Sequence, residues 1–289
     1  MRKFELLEPK SLAETCAILA NDSDARIVAG GTALLTIIKQ GLLLPKALVN
    51  LKKVDDGSTI SFDPVQGLRI GALATINEIE TSETVQRHYP ALAEACHLVA
   101  NIRIRNMATL GGNLAHGDYQ SDPPTVLAAL DARVELMSAG KVRQLALADF
   151  QLGSYETALE PGELLSAVVI PPLPQGMSGH YVKFTTGSSE ERPCAGVAAL
   201  AQIDNGLCKE LRLAVGAVSS KPVRVEAETL ANGKALTSDL IATIAAEAGR
   251  NIDPIDDVRG PADYKRHLVG VLTRRSLQAL ANGNAETKS

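Results

Sequence analysis

Two glycine pairs, Gly30-Gly31 and Gly111-Gly112, constrain this chain more than any other feature. The first pair follows the mainly apolar stretch at residues 25–29, which is typical of a short buried strand. Thr32 then predicts the N-cap of an apolar helix over residues 33–40. A strand that turns into a helix through glycines leaves backbone N–H groups unpaired, and a phosphate can approach them closely. The first pair therefore predicts either a phosphate-binding turn or a sharp turn without a ligand.

The second pair lies within Thr109-Leu110-Gly111-Gly112-Asn113, where Thr109 and Asn113 add side-chain donors beside the backbone amides. Asp122 follows, directly before two prolines. It is a good helix cap in that position, and it can also accept a hydrogen bond from a ribose hydroxyl. Neither pair belongs to a Gly-x-Gly-x-x-Gly or Gly-x-x-x-x-Gly-Lys pattern, so the Rossmann and P-loop patterns are excluded. We interpret the two pairs as two sides of one dinucleotide site.

Charge and composition exclude several classes of function. The net charge of -4 leaves no basic surplus, which argues against nucleic acid as a partner. No apolar run is long enough to span a bilayer, and residues 1–5 lack a signal-peptide core, so we expect a cytoplasmic protein without a transmembrane segment. The four cysteines are scattered, so no iron–sulfur cluster or structural zinc is expected in this chain. The histidines and serines form no metal-binding or triad pattern, and we predict no catalytic or metal-ligating side chain.

Turn and linker signals divide the 289 residues into three units. The first is a small α/β unit, the second is richer in strands, and a linker at 171–179 with three prolines precedes the third. The third predicts three antiparallel strands followed by two helices, with Asn205-Gly206 as a tight turn between the last two strands. The three units span residues 1–56, 57–175 and 176–289. In the third unit, the predicted strands are 180–185, 195–203 and 210–218, and the predicted helices are 238–248 and 261–281.

Two polar stretches have two interpretations each. Residues 188–192, with Glu190-Glu191, are typical of a surface loop, but they can approach the ligand because the strand carrying Lys183 leads into them. Arg103 and Arg105 precede the second glycine pair, and they either assist it with charge or are simply solvated.

The sequence resembles a known family, the FAD-binding flavoproteins of the molybdenum hydroxylases. These are the medium subunit of carbon monoxide dehydrogenase and the flavin domain of xanthine dehydrogenase. The stretches at residues 29–35 and 104–113 resemble the family's first and second FAD motifs, and Asp122 follows at the family's spacing. The resemblance continues through shorter matching stretches at 163–165, 170–171, 181–183 and 257–260, and so covers nearly the whole chain.

The resemblance implies an α+β fold. A two-subdomain FAD-binding domain of the vanillyl-alcohol-oxidase/PCMH type is followed by a C-terminal domain with a three-stranded antiparallel sheet and helices. It also implies that backbone amides of both motifs hold the FAD pyrophosphate, that Asp122 accepts from an adenosine hydroxyl, and that Leu165 and Lys183 lie along the cofactor, Lys183 towards the flavin. The implied cofactor-binding residues are Ile27, Val28, Ala29, Gly30, Gly31, Thr32, Ala33, Leu34, Thr109, Leu110, Gly111, Gly112, Asn113, Asp122, Leu165 and Lys183.

The resemblance further implies an electron-transfer function. An iron–sulfur small subunit would supply [2Fe–2S] clusters and a large subunit the molybdopterin cofactor, in a dimer of heterotrimers, and FAD would pass electrons to an external acceptor. A stand-alone flavin oxidoreductase and a non-enzymatic assembly protein are the alternatives. The stretch at 184–192 departs from the family because it lacks the aromatic residue that some relatives place near the flavin ring, and because it contains the acidic pair Glu190-Glu191. The electron acceptor is therefore left open.

Overall fold

A computed structural model describes residues 3–286, so the outer limits of the first and third predicted units lie outside the described residues. The chain begins with a parallel three-stranded sheet, in the order β1-β3-β2. The side chain of Ser11 caps the first helix by accepting from the Glu14 N–H. The predicted cap at Thr32 is wrong, because Ala33 occupies the cap position of the second helix without a side-chain hydrogen bond. The elements are β1 (Glu5–Leu7), α1 (Leu12–Asn21), β2 (Ala25–Val28), α2 (Leu34–Lys39) and β3 (Ala47–Asn50).

The second part of the chain builds an antiparallel five-stranded sheet in the order β4-β5-β10-β6-β7, with helices against it. Its central strand, β10, is an almost continuous buried apolar run, as expected for a strand covered on both faces. The strands are β4 (Ile60–Asp63), β5 (Gly67–Gly71), β6 (Arg133–Ser138), β7 (Lys141–Ala146), the short pair β8 (Gln151–Gly153) and β9 (Glu156–Thr157), and β10 (Leu164–Ile170). The helices are α3 (Ile76–Thr81), α4 (Glu83–His88), α5 (Pro90–His97), α6 (Ile102–Arg105), α7 (Leu110–His116), α8 (Asp122–Ala129) and α9 (Leu147–Phe150).

The last part contains the three predicted antiparallel strands and two predicted helices. A two-residue fourth strand, absent from the prediction, extends the sheet to the order β11-β12-β13-β14. Asn205 and Gly206 both have positive φ, 50° and 81°, as a primed two-residue turn requires. The elements are β11 (Met177–Phe184), β12 (Ala195–Asp204), β13 (Leu207–Gly216), β14 (Val223–Arg224), α10 (Ser238–Arg250) and α11 (Ala262–Glu286).

The C-terminal sheet packs directly on the second part of the chain. α5 lies against β11, and α8 lies against β12 and β13. Tyr181 is buried at this junction, where its backbone N–H donates to Glu94 Oε2 at 2.8 Å. The side chains that meet here belong to one continuous apolar core, which includes Leu92, Val126 and Ala198. Within residues 3–286, no helix combines the length and the apolar character needed to cross a bilayer.

Candidate dinucleotide-binding cleft

A cleft of about 1270 Å³ lies between the N-terminal sheet and the second part of the chain. This volume exceeds that of ordinary drug-sized sites and is large enough for a dinucleotide. Of the predicted cofactor-binding residues, Leu110 and Lys183 do not line it. The other predicted residues all do: Ile27, Val28, Ala29, Gly30, Gly31, Thr32, Ala33, Leu34, Thr109, Gly111, Gly112, Asn113, Asp122 and Leu165.

The first glycine loop offers unused backbone donors to this cleft. The amides of Gly30, Gly31, Thr32 and Ala33 have no hydrogen-bond acceptor within residues 3–286. Gly31 has φ +72°, a conformation that glycine adopts without strain. Because unpaired amides are rare in folded proteins unless water or a ligand satisfies them, a run of them in a cleft is suited to an anion.

The second glycine loop differs from the prediction, because its amides are already used within the protein. Leu110 N–H donates to Ala74 O at 3.0 Å, and Gly111 N–H donates to Ala72 O at 2.8 Å. The Gly112 N–H donates to Thr109 Oγ1 at 3.1 Å. The prediction of bare amides is therefore wrong for Leu110, Gly111 and Gly112.

Packing requires a glycine at Gly111 and at Gly30. A Cβ on Gly111 would lie 2.8 Å from the Ala72 carbonyl oxygen. A Cβ on Gly30 would overlap the Met107 carbonyl oxygen and lie 2.9 Å from the Cα of Ala108. The two loops thus meet backbone to backbone, and a single methyl group at Gly30 would separate them.

Both predicted side-chain donors of the second loop, Thr109 and Asn113, line the cleft, and Asn113 has an unpaired atom there. Its Nδ2 donates to Ser121 Oγ at 2.6 Å. Its Oδ1 is buried without a partner in the described part of the chain. A buried acceptor of this kind destabilises the protein unless a donor reaches it, so it suits a ligand hydroxyl or amide.

Asp122 and Lys183 are in direct contact in the structure. Asp122 does not cap α8, because Ser121 holds the cap position. The Oδ1 of Asp122 accepts from Tyr181 OH at 2.8 Å, and the Oδ2 of Asp122 accepts from Lys183 Nζ at 3.3 Å. Burial raises the pKa of Asp122 to about 6, while Lys183 opposes that shift. The two groups touch, so they lie at the same place beside the cleft, and their roles towards the adenosine and the flavin stay a prediction.

Lys183 is a structural cation beneath the cleft wall. Its side chain is 5% exposed, and Nζ also donates to Leu98 O at 2.6 Å and to Glu191 O at 3.2 Å. It therefore ties the start of α8 to two backbone segments that border the cleft.

The loop after Lys183 does reach the cleft, as one of its two interpretations predicted. Glu190, Glu191 and Arg192 line it. Arg192 forms an ion pair with Asp118 at 2.6 Å, and Glu191 forms a longer one with Arg259 at 3.4 Å. The opposite charges of this loop are therefore largely paired at the cleft mouth.

Several cleft residues were missed by the sequence reasoning. Arg259 reaches the cleft from the C-terminal part, where Asp257 accepts from the Arg259 backbone N–H at 2.8 Å. In the sequence, the stretch at 257–260 matches the family but has no pattern that predicts a binding role. The segments at 19–26 and 159–163 also line the cleft. Turns of this kind carry no chemical pattern, so the sequence held no signal for them.

Neither arginine before the second loop lines the cleft. Arg105 forms an ion pair with Glu80 at 2.7 Å, and Arg103 is exposed. Within the described residues, no group of three or more His, Cys, Asp or Glu side chains is placed to hold a metal ion.

Comparisons with known proteins decide the family. Residues 2–173 match the family described as FAD binding domain in molybdopterin dehydrogenase, and residues 182–280 match the CO dehydrogenase flavoprotein C-terminal domain. The chain belongs to this flavoprotein family. The membership confirms the predicted family, the α+β fold, FAD as cofactor and the assignment as an oxidoreductase component.

Individual members of the family resemble the chain over almost their whole length. The nicotine 6-hydroxylase medium subunit of Paenarthrobacter nicotinovorans is 35% identical, over 93% of this chain and 94% of the relative. The structure of quinoline 2-oxidoreductase from Pseudomonas putida 86 has a TM-score of 0.93 at 32% identity, covering 98% of each chain. A carbon monoxide dehydrogenase structure from Hydrogenophaga pseudoflava has a TM-score of 0.91 at 32% identity, covering 96% of this chain and 97% of the other.

The residues of the cleft fit FAD. Four open amides in one loop suit a pyrophosphate, whose oxygens accept hydrogen bonds. The unpartnered Asn113 Oδ1 suits a hydroxyl or amide donor of the cofactor. Apolar side chains such as Val28, Leu34 and Leu165 line the same cleft and suit the ring systems.

Proposed function

We propose that this chain is the FAD-binding, electron-transferring subunit of a molybdenum-dependent hydroxylase or dehydrogenase complex. The observation that carries the proposal is the run of four open amides at Gly30–Ala33 in a cleft large enough for a dinucleotide. When bound, the flavin supplies the redox chemistry, so the protein needs no acid or base of its own.

The residues of this chain would bind and position the cofactor. The loop from Gly30 to Ala33 would hold the pyrophosphate through its open amides, flanked by Ile27, Val28, Ala29 and Leu34 in the cleft wall. Asn113 would accept from a polar group of the cofactor, while Leu165 and the backbone of the second loop would form the opposite wall. The paired charges of Asp118, Arg192 and Arg259 would border the cleft mouth.

The proposal includes partners that hold the other redox centres. Electrons would come from the [2Fe–2S] clusters of a small subunit, after oxidation of the substrate at a molybdenum-binding large subunit, and would pass through FAD to an external acceptor. A cytoplasmic dimer of heterotrimers is the proposed assembly. Relatives named as medium subunits or medium chains of nicotine 6-hydroxylase and carbon monoxide dehydrogenase support this division of labour.

Two measurements test the proposal. The purified chain should show flavin absorbance that dithionite bleaches, and apoprotein should take up FAD with a stoichiometry of one. A colourless protein that takes up no FAD would contradict the binding role.

The partner role is tested separately by affinity purification from the native host. Co-purification of an iron–sulfur chain and a molybdenum chain is expected. A flavin-loaded chain that purifies alone and oxidises an organic substrate by itself would instead support a stand-alone oxidoreductase.

A further inference from the structure

A tight turn at Leu98, Val99 and Ala100 forms part of the cleft wall and has an unusual backbone. Val99 and Ala100 line the cleft. Ala100 has φ +41°, in the left-handed region, although it is not a glycine. An L-residue with a Cβ is disfavoured there, so surrounding contacts must hold the turn in this shape.

Two buried cations hold the three carbonyl groups of this turn. Lys183 Nζ donates to Leu98 O at 2.6 Å. Arg105 Nη1 donates to Val99 O at 3.1 Å and more weakly to Ala100 O at 3.4 Å. Hydrogen bonds from charged donors are stronger than neutral ones, so the turn is held by unusually strong contacts for its length.

Each cation is itself fixed by an acid. Arg105 Nε lies 2.7 Å from Glu80 Oε2, an ion pair that does not meet hydrogen-bond geometry, and the Arg105 side chain is 11% exposed. The guanidinium can contact Glu80 and the carbonyls together because it presents several donors in a rigid fork. A lysine ammonium at the same position could not span both partners.

The hydrogen bond from Arg105 to the Val99 carbonyl also fixes the direction of the Ala100 N–H, which belongs to the same peptide unit. In a trans peptide the C=O and N–H groups point in opposite directions, and no described peptide bond is cis. When Arg105 holds the Val99 carbonyl, the Ala100 N–H must therefore point away from Arg105. That N–H has no acceptor within the described ranges, and Ala100 lines the cleft.

We propose that Arg105 is a positioning residue of the cofactor cleft, which holds Ala100 in its left-handed conformation and thereby presents the Ala100 amide to bound FAD. This inference rests on the proposed function, because it requires FAD in the cleft. Arg105 does not touch the cofactor. It acts through the turn, which leads through the cap residue Asn101 into α6.

The test is FAD titration of apoprotein variants, followed by flavin fluorescence and by thermal melting of the apoprotein. Arg105→Gln should weaken FAD binding by about tenfold, because the left-handed turn is no longer held. Arg103→Gln is the matched control, since this neighbour on α6 is exposed, and it should bind FAD as the wild type does. If Arg105→Gln does not fold, Arg105→Lys replaces it, with the same expected loss.

Ala100→Gly distinguishes positioning from a merely structural role. Glycine adopts a positive φ without strain, so it makes the held conformation accessible without Arg105. The double variant Arg105→Gln/Ala100→Gly should therefore recover most of the lost FAD affinity, measured at a temperature where melting shows every apoprotein to be folded and relative to Ala100→Gly alone; a loss that only reflects lower stability would disappear from the single variant under those conditions.

Two results would overturn the inference while leaving the proposed function intact. One is wild-type FAD affinity in folded Arg105→Gln or Arg105→Lys. The other is a weakened single variant whose affinity Ala100→Gly does not restore. Failure of the wild-type apoprotein to bind FAD would overturn the proposed function, and this inference with it.

Discussion

The substitution Gly30→Ala tests how the two loops form the cleft. The added Cβ would overlap the Met107 carbonyl oxygen and lie 2.6 Å from its carbon. Ordinary carbon–carbon contacts are about 3.5–4.0 Å, so the loops must separate by roughly 1 Å. Both sides of the contact are backbone, which cannot swing away as a flexible side chain can. Overpacking of this kind costs about 1–3 kcal/mol, which corresponds to roughly 5- to 150-fold in FAD affinity if the displacement falls on the binding site.

The assay is FAD titration of apoprotein together with urea unfolding of the apoprotein. Gly153→Ala is the matched control, because its Cβ would meet only Glu156 atoms at 3.5 and 4.0 Å, an ordinary contact outside the cleft. It should change stability by less than about 0.5 kcal/mol and leave FAD affinity unchanged. If Gly30→Ala keeps both wild-type stability and wild-type FAD affinity, the proposed contact between the loops is wrong.

Two ionic contacts at the junction with the C-terminal sheet give further predictions. The hydrogen bond to Glu94 raises the pKa of His180 above 6.5, so the pair stabilises the fold fully below that pH and this contribution is lost as the pH rises through the raised pKa. In urea unfolding, His180→Gln should therefore destabilise the protein more at pH 5.5 than at pH 8.5; an equal loss at both would contradict this. Lys183→Met should destabilise by about 3–5 kcal/mol because Asp122 is left buried without its cation. Lys183→Met/Asp122→Asn should lose less than the sum of the two single variants, and strict additivity would exclude the coupling. Burial raises the pKa of Asp122 from 3.8 to about 6. The contribution of this group to the free energy of unfolding should therefore fall as the pH rises from about 4 to about 6. Urea unfolding of the wild type at a series of pH values measures this fall.

The parts of the fold that local chemistry decides were predictable from the sequence. The mainly apolar run at 164–170 forms the central strand β10, as its composition favours for a strand that is covered on both faces. The dipeptide Asn205-Gly206 forms the predicted turn because both residues tolerate positive φ. The first glycine loop lies in the cleft as expected, since a strand followed by glycines specifies its own geometry.

The parts decided by distant segments were not predictable. The amides of the second loop are used by Ala72 and Ala74, which lie far away in sequence. Asp122 is the first residue of α8 rather than its cap, and its carboxylate is held by Tyr181 and Lys183, about 60 residues away in sequence. A local motif shows which residue types are present, but not which other segment satisfies their hydrogen bonds.

The two glycine loops differ in whether their backbone amides are already hydrogen-bonded within the protein. Amide hydrogen exchange of the apoprotein and of the FAD-loaded protein tests this difference most directly. The amides of Gly30–Ala33 have no acceptor among the residues that the structure describes, so they should exchange rapidly in the apoprotein and become protected when FAD binds. The amides of Leu110–Gly112 already donate within the protein, so they should be protected in both states. Fast exchange at Leu110–Gly112 that slows only with FAD, or no change at Gly30–Ala33, would contradict the account of how this chain holds its cofactor.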